Sequence, residues 1–261
     1  GLVTLRRGPG EGGYLLLWAL LPAGFLVAMF GDAGPLGMIV GTAVLAALLR
    51  VTMSWPLVLL GAVGVGGLTG FGLLVFSPAS LDQLVALFGE VFANMEQQLS
   101  QQGNEVQLQA PGVVTIAGML GLLNAVTCVM CLVLARYWQA LLYNPGGFRE
   151  EFHALRLPPG ISLALLIGAV LVWAYGVEYR PWAVLFAIPL SVAGLAFVHA
   201  RAAHRGLGSV WLGMFYVLWL LIDPVKMIVI GVAVADSLLD FRGRWQRKAV
   251  DPADKDRDDQ D

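Results

Sequence analysis

Long windows without any charged residue most constrain what this chain can fold into. Of its 261 residues, 58% are hydrophobic and only 13% are charged, whereas a soluble domain usually carries about 25% charge. The windows reach the roughly 20 residues needed to cross about 30 Å of hydrocarbon. Lipid offers the backbone no hydrogen-bond partners, so such windows predict helices, and strand-like alternation is lacking. The sequence therefore predicts an all-α, polytopic helical bundle in a membrane.

Turn residues divide the apolar sequence into eight predicted transmembrane helices. These spans cover about 13–30, 35–49, 55–76, 112–136, 159–176, 181–200, 206–222 and 225–241. The last two form a predicted hairpin, because one helix over both would be about 54 Å long at about 1.5 Å per residue. Asp223-Pro224 interrupts that stretch, and proline breaks helices. The first window is predicted to be a retained helix rather than a cleaved signal peptide, because further spans follow it.

Basic residues set the predicted orientation, because cytoplasmic segments of membrane proteins carry an excess of Lys and Arg. With eight spans and an inner N-terminus, the outer segments hold only Arg180 and Lys226. The inner segments hold Arg6, Arg7, Arg50, Arg136, Arg149, Arg156, Arg201, Arg205, Arg242, Arg244, Arg247 and Lys248. Both ends are therefore predicted to be cytoplasmic.

The predicted domain organisation is a single transmembrane domain over 1–248 and a polar tail over 249–261, expected to be disordered. The longest outer segment repeats apolar residues at helical spacing, which predicts an amphipathic helix over about 80–101. Ser80 and Gln83 predict a capping box at its start. This helix either covers a cavity or docks a partner, or it rests on the membrane or the bundle.

Partner-docking candidates come from one loop and two small-residue motifs. An inner loop is predicted over about 137–158, where Asn-Pro-Gly-Gly is strong turn chemistry. Small residues four apart let helices approach closely, for a partner helix or for internal packing. The candidates are Ala19, Ala23, Gly66, Gly70, Asn144, Phe148, Arg149 and Glu150.

Ligand-binding candidates are polar residues within spans and residues around the outer turns. Polar groups at membrane depth either line cavities or join helices. Two ion pairs are predicted at outer turns, Glu178 with Arg180 and Asp223 with Lys226, either as a pocket rim or as surface turns. Asp236 stands alone inside the last span. The candidates are Asn124, Thr127, Trp173, Tyr175, Glu178, Arg180, Asp223, Lys226 and Asp236.

Motifs of soluble enzymes are absent from the sequence. There is no Walker loop, no H-E-x-x-H, no G-x-S-x-G and no dinucleotide fingerprint, so no enzyme and no cofactor are predicted. Cys128 and Cys131 are predicted to be buried thiols, with no metal site. No long basic stripe accompanies the net charge of −2, so nucleic-acid binding is not predicted.

Two stretches carry a family resemblance: Arg136-Tyr137-Trp138-Gln139 through 144–149, and Gly231 through Asp236 to 240–242. They resemble the YybS-like predicted membrane proteins of bacteria, a family grouped loosely with the S-components of energy-coupling-factor vitamin transporters and with the rod-shape protein MreD. The resemblance implies a bacterial inner-membrane protein with an S-component-like core and partner membrane subunits.

Two functions follow from that resemblance. One is a small-molecule binding or transport subunit, and the other is a scaffold or accessory subunit of a cell-envelope complex. S-components dock their coupling subunit through an A-x-x-x-A in the first helix, and Ala19 and Ala23 match that spacing. S-components typically have six helices, and the eight spans predicted here depart from that number.

The predicted topology has a direct test. A reporter fused after Lys248 is expected to read as cytoplasmic, because the basic cluster from Arg242 to Lys248 follows the last span. Reporter activity on both sides of the membrane would be measured in intact cells. An external signal from this fusion would rule out eight spans with an inner N-terminus.

Overall fold

The computed structural model describes residues 3, 5, 8–102 and 107–250, and these contain helices and no strand. The all-α prediction is thereby confirmed. The helices are α1 (Pro9–Phe30), α2 (Gly34–Thr52), α3 (Trp55–Phe76), α4 (Pro78–Gln101), α5 (Val113–Tyr143), α6 (Gly147–Ala154), α7 (Pro159–Tyr175), α8 (Arg180–His204), α9 (Ser209–Leu221), α10 (Asp223–Leu239) and α11 (Phe241–Val250). A short 3₁₀ helix, Val177–Tyr179, precedes α8.

Five helical segments are long and apolar enough to cross a membrane. They correspond to α1, α2, α3, α5 and α8 with the 3₁₀ turn before it. Two bent pairs raise the number to seven if each pair is one span: α6 with α7, bent by 69°, and α9 with α10, bent by 112°. The described part of the chain is therefore a multi-pass helical fold with five to seven candidate spans.

The predicted interruptions between helices lie where turn chemistry places them. Gly31 ends α1 in the left-handed conformation, with φ of 68°, and Pro35 lies in the first turn of α2. Ile222 is extended between α9 and α10, and Pro224 lies in the first turn of α10. Proline is tolerated in the first turn because the N–H that it lacks would have no hydrogen-bond partner within the helix. Both predicted breaks are confirmed.

Three predictions about local structure have different outcomes. The segment predicted as a loop over 137–158 is mostly helical, since α5 continues to Tyr143 and α6 follows. The predicted capping box is wrong: α4 begins at Pro78, and no side chain caps its N-terminus. The predicted tail from residue 251 onward lies outside the described residues.

The chain divides into two compact units. The first contains residues 1–149 and 166–189, and the second contains 150–165 and 190–261. The first unit is built around α5, which packs against α2, α3 and α4.

Glycines determine how closely α3 and α5 pack. A Cβ on Gly66 would lie 2.8 Å from the carbonyl oxygen of Gly121, and one on Gly70 would lie 2.8 Å from that of Ala117. Both Gly66 and Gly70 are buried. In a membrane, small residues of this kind let two helix backbones meet. The two glycines predicted as partner-docking candidates therefore pack inside the chain.

Substitution of adjacent glycines on α3 tests this packing. Gly66→Ala is expected to lower the free energy of unfolding by about 1–3 kcal/mol, the usual cost of overpacking, because the new methyl group meets backbone. Gly67→Ala is the matched control, since a Cβ there has nothing within 4 Å. Unfolding in mixed micelles measures both variants. Equal stability of the two would contradict internal packing at Gly66.

Candidate ligand-binding cavity

A cavity of about 770 Å³ lies within the first unit. Its walls come from α2, α3 and α5, from the turn between α1 and α2, and from the first turns of α4. The cavity exists partly because two wall positions lack side chains. A Cβ on Gly72 would have nothing within 4 Å, and one on Gly37 would only touch the Asn124 amide at 3.6 Å.

Most of the cavity wall is hydrocarbon. The large apolar side chains that line it are Phe30, Leu36, Met38, Leu68, Leu73, Phe76, Leu81, Leu84, Leu87, Leu120 and Leu123. Walls of this composition favour ligands with a substantial apolar part, since apolar surface gains free energy when it leaves water.

Two hydrogen-bonded side chains form the polar part of the wall between α3 and α5. The Asn124 Nδ2 donates to the Thr69 hydroxyl at 2.8 Å, and that hydroxyl donates to the Val65 carbonyl at 2.8 Å. An amide has two N–H donors and a carbonyl oxygen with two lone pairs. Asn124 therefore keeps hydrogen-bonding capacity beyond its bond to Thr69.

Thr127 lies one turn further along α5 and also lines the cavity. Its hydroxyl donates to the Leu123 carbonyl at 2.8 Å. That bond uses the only hydroxyl hydrogen and leaves the oxygen lone pairs able to accept. Asn124 and Thr127, both predicted ligand-binding candidates, thus line one cavity.

A second group of polar residues lies where spans end. Asp32 belongs to the α1–α2 turn, Ser77 and Ser80 lie around the start of α4, and Gln83 follows one turn later. Asp32 is exposed and its Oδ1 accepts the Gly34 N–H at 2.9 Å. It is the only ionisable residue among those lining the cavity.

Helix α4 covers one side of the cavity with its first turns. Leu81 is 1% exposed and packs with Ile116 and Ala117 of α5. Further along, the apolar residues Phe88 and Met95 are exposed. The chain itself thus covers the N-terminal part of the apolar face of α4 and leaves later positions on it uncovered.

Four predicted ligand-binding residues lie around the 3₁₀ turn of the first unit, and none lines the cavity. Arg180 places its guanidinium 4.8 Å from the centre of the Trp173 ring. Tyr175 packs edge-on against Tyr179. The Glu178 backbone carbonyl accepts from the Thr115 hydroxyl at 3.5 Å. Arg180 thus stacks on Trp173, and in the part of the chain that the structure describes it forms no ion pair with Glu178.

The predicted pair at the α9–α10 bend is confirmed. Lys226 Nζ lies 2.7 Å from Asp223 Oδ1, one turn away on α10. The Asp223 side chain is 86% exposed. Exposed pairs of this kind contribute about 0–1 kcal/mol, so the contact has little influence on the fold.

Asp236 does not stand alone, contrary to the prediction. It is buried in the second unit, and its Oδ2 lies 3.0 Å from Nε of Arg242. The Arg242 guanidinium also donates to the backbone carbonyls of His153 and Ala193. Burial lowers the pKa of Arg242, and the nearby Asp236 carboxylate opposes that shift.

The chain path explains why this pair forms. Asp240 ends α10 in the left-handed conformation, with φ of 51° and ψ of 54°, and α11 starts at the next residue. Arg156 binds the Asp240 carboxylate and donates to the Ser237 carbonyl at 3.0 Å. Four ionic side chains therefore stabilise the α10–α11 junction. This structural role is enough to explain why an acidic residue is buried at position 236.

The remaining docking candidates differ in accessibility. Ala23 is buried and Ala19 half-buried. Phe148 packs edge-on against Trp55 and Tyr137. Exposed residues among the candidates are Asn144, Arg149 and Glu150. Only these three present accessible side chains to another protein.

Sequence reasoning missed part of the cavity. Thr69 is the only hydroxyl residue in the apolar run of α3, and a lone polar residue in a span is a signal for a partner or a cavity. Asp32 and Ser77 lie in segments that look like ordinary turns, and the sequence predicts Ser80 only as part of a helix cap. Only the convergence of α2, α3, α4 and α5 makes them a site.

Comparison of the chain with protein-family models, curated proteins and solved structures finds no match. Among the described residues, no group of three or more His, Cys, Asp or Glu side chains is arranged to hold a metal ion.

Removal of each acidic partner distinguishes the two ion pairs. Asp236→Ala is expected to lower the free energy of unfolding by about 3–5 kcal/mol, because it leaves the Arg242 charge buried without its partner. Asp223→Ala, at the exposed pair, is expected to change it by about 0–1 kcal/mol. Unfolding in mixed micelles compares the variants. Similar losses in both would contradict the structural role assigned to Asp236.

Proposed function

We propose that the chain is a non-enzymatic protein of the bacterial cytoplasmic membrane that binds a small molecule in the cavity beside α4. In this proposal it is the binding subunit of a transport system and acts with partner membrane proteins. The observation that carries it is a cavity of about 770 Å³ with apolar walls and a few converging polar groups.

The size and lining of the cavity support a binding role. Small-molecule sites typically enclose about 300–1,000 Å³ and combine apolar walls with a few placed polar groups. Asn124 and Thr127 supply hydrogen-bonding capacity on one wall, and Ser80 supplies a hydroxyl near one end. The amphipathic α4 covers one side, in the position of a lid.

The proposed topology has eight spans, with both ends in the cytoplasm and α4 on the outer face. It adds α7, α9 and α10 as separate spans to the five long ones. The 112° bend at Ile222 supports treating α9 and α10 as a hairpin. The distribution of Lys and Arg supports the orientation.

The resemblance to YybS-like proteins supports an S-component-like role with partner subunits. The exposed apolar side chains of α1, among them Leu17, Leu21 and Phe25, fit contact with lipid as well as with a partner helix. The burial of Ala23 weakens docking through the A-x-x-x-A motif. Docking through neighbouring side chains of α1 fits the burial pattern better.

The alternative is a scaffold or accessory subunit of a cell-envelope complex. Its support is the exposed Asn144, Arg149 and Glu150 around the start of α6. A scaffold has no need for a cavity, so filling the cavity distinguishes the two functions.

The decisive variant is Gly72→Leu, which adds a side chain to the cavity where a Cβ meets no atom within 4 Å. The matched control is Gly64→Leu on the same helix, also in open space but not lining the cavity. The wild-type protein and both variants would be purified in mild detergent, and the small molecules that they carry would be measured by mass spectrometry.

A species that co-purifies with the wild type and Gly64→Leu and is lost from Gly72→Leu is the expected result. A cavity that binds nothing gives identical profiles for all three proteins, and that outcome would overturn the proposed function. Both leucines enter space that is open in the structure, so both variants should unfold at temperatures close to that of the wild type. Loss of ligand from Gly72→Leu without loss of thermal stability then reflects the cavity and not misfolding.

A further inference from the structure

The rim of the cavity is made of large apolar side chains that are strongly exposed. Phe76 is 85% exposed, Leu68 73% and Phe30 72%. All three line the cavity and belong to α1 or α3, which are long enough to span a membrane. Leu68 lies about 12 Å before the end of α3, at about 1.5 Å per residue, so in a bilayer it contacts acyl chains. Phe30 and Phe76 are the last residues of α1 and α3 and lie near the interface. The mouth of the cavity therefore extends from the interface into hydrocarbon beside Leu68.

Polar groups in the cavity are distributed along the direction of the helices. Asp32, Ser77 and Ser80 lie at helix ends, where we expect spans to meet the aqueous interface. Thr69 lies seven residues before Phe76, the last residue of α3, which corresponds to about 10 Å at about 1.5 Å per residue. The wall between these two levels is apolar. A ligand that matches it has a polar head at the turns and a hydrocarbon part directed into the membrane.

The charge of the lining selects the head group. Among the described residues that line the cavity, Asp32 is the only ionisable one, and no Lys, Arg or His lies beside it in that lining. Its Oδ1 accepts a single backbone hydrogen bond, from Gly34, so the carboxylate keeps capacity for another donor. An anionic head would meet a like charge without a compensating cation, whereas an ammonium group would meet its counter-ion.

We propose that the ligand is an amphiphile with an ammonium head and a hydrocarbon tail, which enters the cavity from the bilayer. This inference rests on the proposed function, because it names the ligand class of the same cavity. It departs from the water-soluble vitamins that an S-component-like role implies, since a water-soluble ligand would leave most of its hydrogen bonds unmatched along the leucine walls.

Three probes of equal chain length test the head group. Dodecylamine, dodecanol and dodecanoate would be added to the wild-type protein in a non-ionic detergent at pH 7.5, and bound adducts would be counted by native mass spectrometry. We expect the amine to bind best and the carboxylate worst. The amine should exceed the alcohol by about two- to fivefold, the range for a solvent-accessible ion pair.

Two substitutions and one control test whether the probes bind in the cavity and whether the Asp32 carboxylate recognises the ammonium head. Asp32→Asn should remove the preference for dodecylamine over dodecanol, because the ammonium group loses its counter-ion. Gly72→Leu should abolish specific adducts of both probes, while Gly64→Leu should retain them. This last pair excludes non-specific association with exposed apolar surface.

Three results would overturn the inference: dodecanoate binding as well as dodecylamine, an amine preference that persists in Asp32→Asn, or adducts that Gly72→Leu leaves unchanged. Its failure differs from failure of the proposed function. If a water-soluble compound co-purifies and is lost from Gly72→Leu, the cavity is a binding site and the ammonium amphiphile is wrong. If nothing co-purifies and no probe binds, both proposals fail.

Discussion

The close contact between α3 and α5 is the interaction on which the first unit depends. Lipid is as apolar as leucine, so helices in a bilayer gain little from hydrophobic association and rely on van der Waals contact and interhelical hydrogen bonds. Gly66 and Gly121 remove the side chains that would hold the two backbones apart. That approach brings Thr69 within 2.8 Å of Asn124, so the polar wall of the cavity is a direct consequence of the glycine contact.

The second unit is organised by buried charge. Asp236 and Arg242 form an ion pair with side chains 2% and 12% exposed, and Arg156 and Asp240 extend it around the α10–α11 junction. Burying charge is unfavourable unless each group is paired and hydrogen-bonded. Backbone carbonyls supply part of that compensation for Arg242. The Asp236–Arg242 ion pair therefore fixes the path of the chain between α10 and α11. The first unit differs, because its cavity is lined mostly by hydrocarbon.

Hydropathy and turn chemistry predict the helices well, because membrane burial forces each apolar window to satisfy its own backbone hydrogen bonds. The breaks near Gly31 and Pro224 are predictable as well, because glycine and proline act on the backbone locally. The Asp236–Arg242 pair is not predictable in this way: residues six apart do not share a helix face, and only the left-handed Asp240 brings them together. The cavity was predictable in part, through Asn124 and Thr127. Asp32, Ser77 and Ser80 join it only because separate helices converge, which periodicity does not encode.

The most direct test is a cryo-electron microscopy map of the wild-type protein in a lipid nanodisc, with no added ligand. We expect elongated density inside the cavity, with one end near Asp32 and the other along Leu68 and Leu120, all of which line it. The first turns of α4 should cover this density. A map in which α4 closes against α2 and leucine side chains fill the space would contradict a binding role.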